Sequence, residues 1–116
     1  MAGQLVDTDV LIDHFRGARQ FKPGAQPAAY SVVTRCELLA GRSADERVIG
    51  LVLGAMLEHP VDRAVAERAG RLRRRYGLRT PDALIAATAV EHDLTLVTRN
   101  RGDFAAVRGL RVRAPA

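Results

Sequence analysis

Four carboxylates stand where short apolar runs end or helices begin. Asp7 closes the run Gln4-Leu5-Val6, Glu37 follows a second strand, Asp82 follows Thr80-Pro81 at the head of a nearly all-apolar helix, and Asp103 follows the run Thr95 to Thr98. Each alone has a structural explanation. Asp9 or Thr8 can cap the first helix, Thr34-x-x-Glu37 has the form of a capping box, Asp82 in a first turn complements the helix dipole, and Asp103 suits an Asx turn. Together they point elsewhere, because carboxylates a few ångströms apart raise one another's pKa and stay ionised most readily around a cation. An oxygen-only donor set without thiolates suits Mg2+ or Mn2+. Such ions acidify a bound water and stabilise the attacking and leaving oxygens of a phosphodiester displacement. The chemistry implied is phosphate-ester hydrolysis.

The elements that must position these acids can be read from periodicity and punctuation. Gln4 to Val6 reads as a buried strand feeding a helix with Val10, Leu11 and Phe15 near helical spacing. Gly17 to Pro27 reads as a loop, Ala28 to Val33 as a second strand, and Thr34 as the start of a helix that breaks at Gly41. A helix is expected from about Asp45 to Leu57. Another runs from Val61 to Tyr76 with Val61, Val65, Ala69, Leu72 and Tyr76 on one face and Gly77 as its stop. Thr80 caps the next helix and Pro81 takes its first position, with Ala83 to Val90 buried on most sides. Thr95 to Thr98 is a strand, Gly102-Asp103-Phe104 a turn, and Leu110 to Arg113 a last short strand. Strands alternating with helices predict a single α/β domain over 1–116, three-layered (α/β/α), with a central, mainly parallel sheet. Its ligands are then expected outside the carboxyl ends of the strands.

Composition excludes several classes. The longest nearly unbroken apolar stretch, Val48 to Leu57, is far short of the roughly 18 residues that span a bilayer. Asp7, Asp9 and Asp13 interrupt what would be a signal-peptide core, so the expected location is cytoplasmic, without a membrane partner. Cys36, the one cysteine, permits no internal disulfide, thiolate zinc site or CxxC pair, and reads as a small buried filler. His14, His59 and His92 occur singly, and no nucleophile elbow, GxGxxG or P-loop is present.

The 116 residues carry 18 basic against 13 acidic side chains, a net charge of +5, and Lys22 is the only lysine. With the four carboxylates neutralised, nine acids remain against those 18 bases, so an anionic polymer is drawn to the surface. Five aromatics are too few for a base-stacking platform, which leaves phosphate contact as the expected mode. Arg35, Arg99 and Arg101 are placed near the scissile phosphate, whereas Arg71, Arg73, Arg74 and Arg75 read as a solvated helix face.

Four segments resemble the PIN-domain ribonucleases, specifically the VapC toxins of toxin-antitoxin pairs. They are Leu5-Val6-Asp7-Thr8-Asp9-Val10-Leu11-Ile12-Asp13, Thr34-Arg35-Cys36-Glu37-Leu38-Leu39-Ala40-Gly41, Thr80-Pro81-Asp82-Ala83-Leu84-Ile85-Ala86-Ala87 and Thr98-Arg99-Asn100-Arg101-Gly102-Asp103-Phe104. They stand in the family's order and span residues 5 to 104. The resemblance implies a Mg2+- or Mn2+-dependent endoribonuclease in which Asp7, Glu37, Asp82 and Asp103 bind metal and carry catalysis. Thr8, Asp9, Thr98 and Asn100 stand behind them. It further implies a homodimer silenced by a cognate antitoxin whose tail covers the acidic site. Asp9 departs from the pattern, since many relatives carry Asn there, and the loop from Gly17 to Pro27 is compact.

A haloacid-dehalogenase-type phosphatase or a response-regulator receiver would each need a lysine late in the chain, and Lys22 lies too early. The surviving alternative is a non-catalytic basic α/β module that binds RNA or a partner protein, its acids serving as caps and ion pairs.

Overall fold

The computed structural model describes residues 3–22, 24 and 27–116. Its elements run β1 (Gln4–Val6), α1 (Thr8–Phe15), β2 (Ala29–Ser31), α2 (Val32–Leu39), α3 (Glu46–Gly54), β3 (Leu57–His59), α4 (Arg63–Tyr76), α5 (Thr80–Glu91), β4 (Thr95–Val97), α6 (Arg101–Phe104) and β5 (Val112–Arg113). The strands form one sheet in the order β3-β2-β1-β4-β5, parallel at every pairing.

Alternation along the strands divides the core in two. Leu5, Ala29 and Leu96 face α4, α5 and α6, packing with Val65, Ala69, Leu72, Ile85 and Phe104. Val6, Tyr30 and Val97 face the opposite way, packing with Val10 and Leu11 of α1, Leu38 of α2, and Ile49 and Leu53 of α3. Helices therefore cover both faces, the arrangement expected for a buried parallel sheet. β1 lies at the centre, and the chain leaves it toward β2 on one face while the path to β4 crosses the other. The crevice at such a reversal opens outside the carboxyl ends of the strands, where Asp7 follows β1 and Thr98 follows β4.

Several boundaries differ from the sequence expectations, each for a local reason. Ser31, not Thr34, caps α2, its side chain accepting from the Val33 amide at 3.2 Å. The second strand therefore stops at Ser31, and Thr34 and Glu37 lie inside the helix rather than forming a capping box. Asp7 itself, rather than Thr8 or Asp9, caps α1. The helix expected from Asp45 to Leu57 ends at Gly54, and Leu57 to His59 form the edge strand β3. Asp45 does cap α3, accepting from the Val48 amide. Asp62 caps α4, and Gly77 ends it in the left-handed region at φ 72° as expected. Arg79 precedes α5 without a side-chain cap, so Thr80 and Pro81 are its first two residues. The expected turn at Gly102 to Phe104 is the short helix α6. Cys36 is exposed rather than buried, on the outer side of α2. Of the expected loop Gly17 to Pro27, residues Pro23, Ala25 and Gln26 lie outside the described residues.

The two leucines of α3 separate the faces of that helix: Leu53 is 1% exposed and Leu51 70%. Truncating the first empties a packed site, whereas truncating the second removes little buried area. We expect Leu53→Ala to cost about 3 kcal/mol of unfolding free energy and Leu51→Ala less than about 0.5 kcal/mol, read from urea denaturation.

Candidate active site

The site is built at the carboxyl end of β1. Asp7 is 6% exposed, yet both carboxylate oxygens are satisfied: Oδ1 accepts from the Thr8 amide at 2.8 Å and Oδ2 from Thr98 Oγ1 at 2.8 Å. The second bond joins the ends of β1 and β4, side by side through Val6 and Val97. Burial, then the nearby charges of Asp9 and Asp82, push the Asp7 carboxyl from 3.8 up to about 7, against the lowering effect of its two hydrogen bonds. That step corresponds to roughly 4 kcal/mol held against the ionised form. Burial likewise raises Asp82, with Asp103 adding to it and Arg79, 3.8 Å away, opposing it.

Glu37 reaches the same edge from α2 through a chain of hydroxyls. Thr8 Oγ1 donates to Glu37 Oε1 at 2.6 Å, so its one proton is committed, and Thr34 Oγ1 at 2.9 Å must donate to it. The buried Thr34 thereby orients Thr8, and Thr8 orients Glu37. Sequence reading took Thr34 for a cap; only the contact between α1 and α2 reveals this part.

Asp9 has a separate position. Its carboxylate accepts from the Arg99 amide at 3.2 Å and from Asn100 Nδ2 at 3.0 Å, and lies 3.3 Å from Thr98 Oγ1, whose one proton points to Asp7. It ties down the loop that follows β4 and leads into α6. Burial raises its pKa while those donors oppose the rise. Thr98, Asn100 and Thr8 thus stand behind the acids, in hydrogen-bond contact with them.

The arginines placed beside the acids divide differently. Arg35 Nε donates to Glu58 Oε1 at 2.8 Å and its terminal nitrogen to the Tyr30 hydroxyl at 2.8 Å, so its guanidinium clamps α2 to β2 and β3. Arg99 is paired with Asp13. Arg101 is exposed at the start of α6, and among the described residues it forms no ion pair. The α4 arginines 71, 73, 74 and 75 are exposed, as read from sequence.

The donor set fits a hard divalent cation in kind: it is all oxygen, and like charges around Asp7 oppose its ionisation unless a positive charge compensates. Among the described residues, however, no three His, Cys, Asp or Glu side chains converge tightly enough to hold an ion as they stand. Asp7, Asp9, Asp82 and Asp103 interact as a chain of neighbouring charges, with Asp103 exposed at its outer end. The site is an open acidic edge rather than a closed cage.

This fold matches known proteins. The family model for the PIN domain matches residues 5–110, and the chain belongs to that family. It is 41% identical over 112 residues to Ribonuclease VapC10 of Mycobacterium tuberculosis, covering 86% of this chain and 84% of the relative. It is 36% identical over 115 residues to Ribonuclease VapC19 of the same organism, covering 87% and 91%. Among solved structures, a toxin-antitoxin complex from Klebsiella pneumoniae superposes with a TM-score of 0.80 at 35% identity, covering 98% of each chain.

The raised Asp7 pKa has a direct consequence. Between pH 4 and pH 7 the unfolded chain releases the Asp7 proton while the folded protein keeps it, so without metal this residue lowers stability as pH rises through that window. Asp9 and Asp82 act in the same sense. In EDTA, we expect Asp7→Asn to flatten part of this decline and to melt no lower than wild type at pH 8, measured by thermal unfolding across pH 4 to 8.

Proposed function

We propose that this protein is a divalent-metal-dependent endoribonuclease, Mg2+ or Mn2+ serving as its ion, and the toxin of a toxin-antitoxin pair. The observation that carries this reading is the buried Asp7 carboxylate at the end of β1, hydrogen-bonded from both sides and faced by Asp9 and Asp82. A purely structural acid would sit beside a compensating base; this one sits among like charges. Its similarity to relatives named as ribonucleases adds RNA as the substrate.

Asp7, Glu37, Asp82 and Asp103 would hold the ion, which when bound supplies a water acidic enough to attack phosphorus and charge to stabilise the leaving oxygen. The chain's own groups prepare that edge. Thr98 and the Thr8 amide fix the two Asp7 oxygens, and the Thr34-Thr8 relay fixes Glu37. Asp9 positions the 98–100 loop, acting through the Arg99 amide and Asn100. Arg79 beside Asp82 and the exposed Arg101, two positions before Asp103, are cations available to a phosphate oxygen. Asp7 held as a neutral acid presents a proton where metal must bind, so metal affinity rises with pH as that proton is lost.

An antitoxin and a second copy of this chain are the proposed protein partners. Leu39, Val48, Leu51 and Leu57, exposed on α2, α3 and β3, offer apolar surface for such contacts.

The test is cleavage of end-labelled RNA by purified protein with Mg2+, Mn2+ or EDTA, beside Asp7→Asn. We expect cutting with either ion, none in EDTA, and a loss of at least about a hundredfold in Asp7→Asn. Equal cutting by wild type and Asp7→Asn would mean a contaminating nuclease. Retained RNA binding without cutting would favour the non-catalytic RNA-binding module.

A further inference from the structure

Residues 68 to 81 hold six arginines and no acid. They cover the last turns of α4 and the bend into α5, and only two of them have an acid beside them: Arg68 pairs with Glu91 at 2.6 Å, and Arg79 stands 3.8 Å from Asp82. Arg71, Arg73, Arg74 and Arg75 are exposed and form no ion pair among the described residues. Because α4 buries Val65, Ala69 and Leu72, Arg71 and Arg74 stand on its outward side. Arg71 is a surface neighbour of both Arg74 and Arg75, at helical spacings of three and four, and like charges so placed repel. A cation in a last turn does balance the helix dipole, but that dipole amounts to only about half an elementary charge. Arg73, Arg74 and Arg75 all crowd that turn, so folding alone does not account for them.

The same end of α4 adjoins the acidic edge. Gly77 and Leu78 carry the chain directly into α5, whose third residue is Asp82, and Arg79 bridges the bend to that acid. Arg73 Nε donates to the Leu78 carbonyl at 3.1 Å, which folds this side chain over the bend. On the other side the Tyr76 hydroxyl accepts from the Arg108 amide at 3.2 Å. Tyr76 and Leu78 also pack against the core cluster that holds Phe104 and Val107, and Phe104 directly follows Asp103. The basic turn is thus fastened to the two segments that carry Asp82 and Asp103. The exposed Arg108 extends it.

The composition of this shoulder selects its partner. The large apolar side chains that reach solvent, Leu39, Val48, Leu51 and Leu57, lie on α2, α3 and β3, and none belongs to the shoulder. A protein interface is built around an apolar or aromatic centre, and a membrane-bound helix on a free apolar face, whereas the apolar face of α4 already packs in the core. Guanidinium groups without an apolar centre fit a phosphodiester backbone, whose phosphates accept their paired N–H donors and whose counterions they displace.

We propose that the last turn of α4, with Arg79 and Arg108, is a phosphate-binding shoulder that holds the backbone of the RNA substrate to one side of the acidic edge. The proposal takes its substrate from the ribonuclease reading, but its first test needs no cleavage. A labelled single-stranded RNA is titrated in EDTA, at several salt concentrations, against wild type, Arg71→Ala/Arg74→Ala and a control pair of equal charge change, Arg42→Ala/Arg47→Ala. Arg42 and Arg47 are exposed before and on α3, and neither forms an ion pair among the described residues. The α4 pair is expected to weaken RNA at least about tenfold and to lower the slope of log affinity against log salt by about 1.4, at roughly 0.7 for each lost contact to a single strand. The control pair changes affinity less than about twofold. Arg71→Lys/Arg74→Lys stays within about threefold of wild type, so that a loss seen with alanine and restored with lysine is a loss of charge and not of fold.

Equal weakening by the two alanine pairs reduces the effect to net charge and overturns the proposal. So does an unchanged affinity in the α4 pair, which leaves these arginines to another anion such as an acidic protein segment, and so does a lysine pair as weak as the alanine pair. The second test is cleavage with Mg2+. Contacts to phosphates away from the cut hold the RNA equally before and during reaction, so the α4 pair is expected to raise KM at least about fivefold with kcat within about twofold of wild type. An unchanged KM overturns the proposal and leaves the ribonuclease intact. If wild type cuts no RNA while the α4 pair still loses affinity, the ribonuclease reading falls and the shoulder stands as an RNA-binding surface.

Discussion

The Asp7 carboxylate is almost without water between two parallel strand ends, and the charges of Asp9 and Asp82 make its ionisation harder still. A buried carboxylate is tolerable only if every oxygen has a donor, and here one donor is the backbone and the other the Thr98 hydroxyl. That requirement fixes the register of β1 against β4, since a slip of one residue would turn Thr98 away from Asp7 and send Val6 and Val97 to the wrong core. The same acid caps α1, so the direction in which the chain leaves the sheet depends on it too. Much of the protein's geometry is the set of conditions under which this one group can be buried.

The other acids divide by what surrounds them. Asp9 is drawn into hydrogen bonds with the 98–100 loop, whereas Glu37 receives a single hydroxyl and Asp103 remains exposed. Asp9 accepts from the Arg99 amide and the Asn100 side chain, and so holds the loop that follows β4. Ion pairs follow a similar division. Arg35, Arg68, Arg99 and Arg111 bind acids that link separate elements, whereas Arg71, Arg73, Arg74 and Arg75 of α4 form no ion pair among the described residues.

What the sequence made legible follows from how local each signal is. The parallel α/β architecture was readable because short apolar runs alternate with helical stretches, and the stop at Gly77 because a left-handed residue ends the helix there. The places of Asp7 at a strand end and Asp82 in a helix's first turn were readable, whereas Glu37, expected near a helix start, lies well inside α2. Ser31 was missed because Thr34 and Glu37 imitate a capping box whose true function lies across the interface with α1. β3 was missed because its three residues are half-buried at most and show no alternation, and its pairing with β2 is non-local. His59 and His92, 33 positions apart, stack with ring centroids 3.9 Å apart, and burial followed by the neighbouring His92 lowers the His59 pKa. No spacing rule reaches that pair.

The hydrogen bond from Thr98 to Asp7 spans 91 positions of the chain. During synthesis the amino-terminal acids emerge long before β4, and Asp103 comes later still. Until then Asp7 has no partner on its second oxygen and β1 has no neighbour on that side, so the acidic edge does not exist in a partly made chain. The edge is therefore a property of the whole folded sheet and not of the amino-terminal half that carries Asp7 and Asp9.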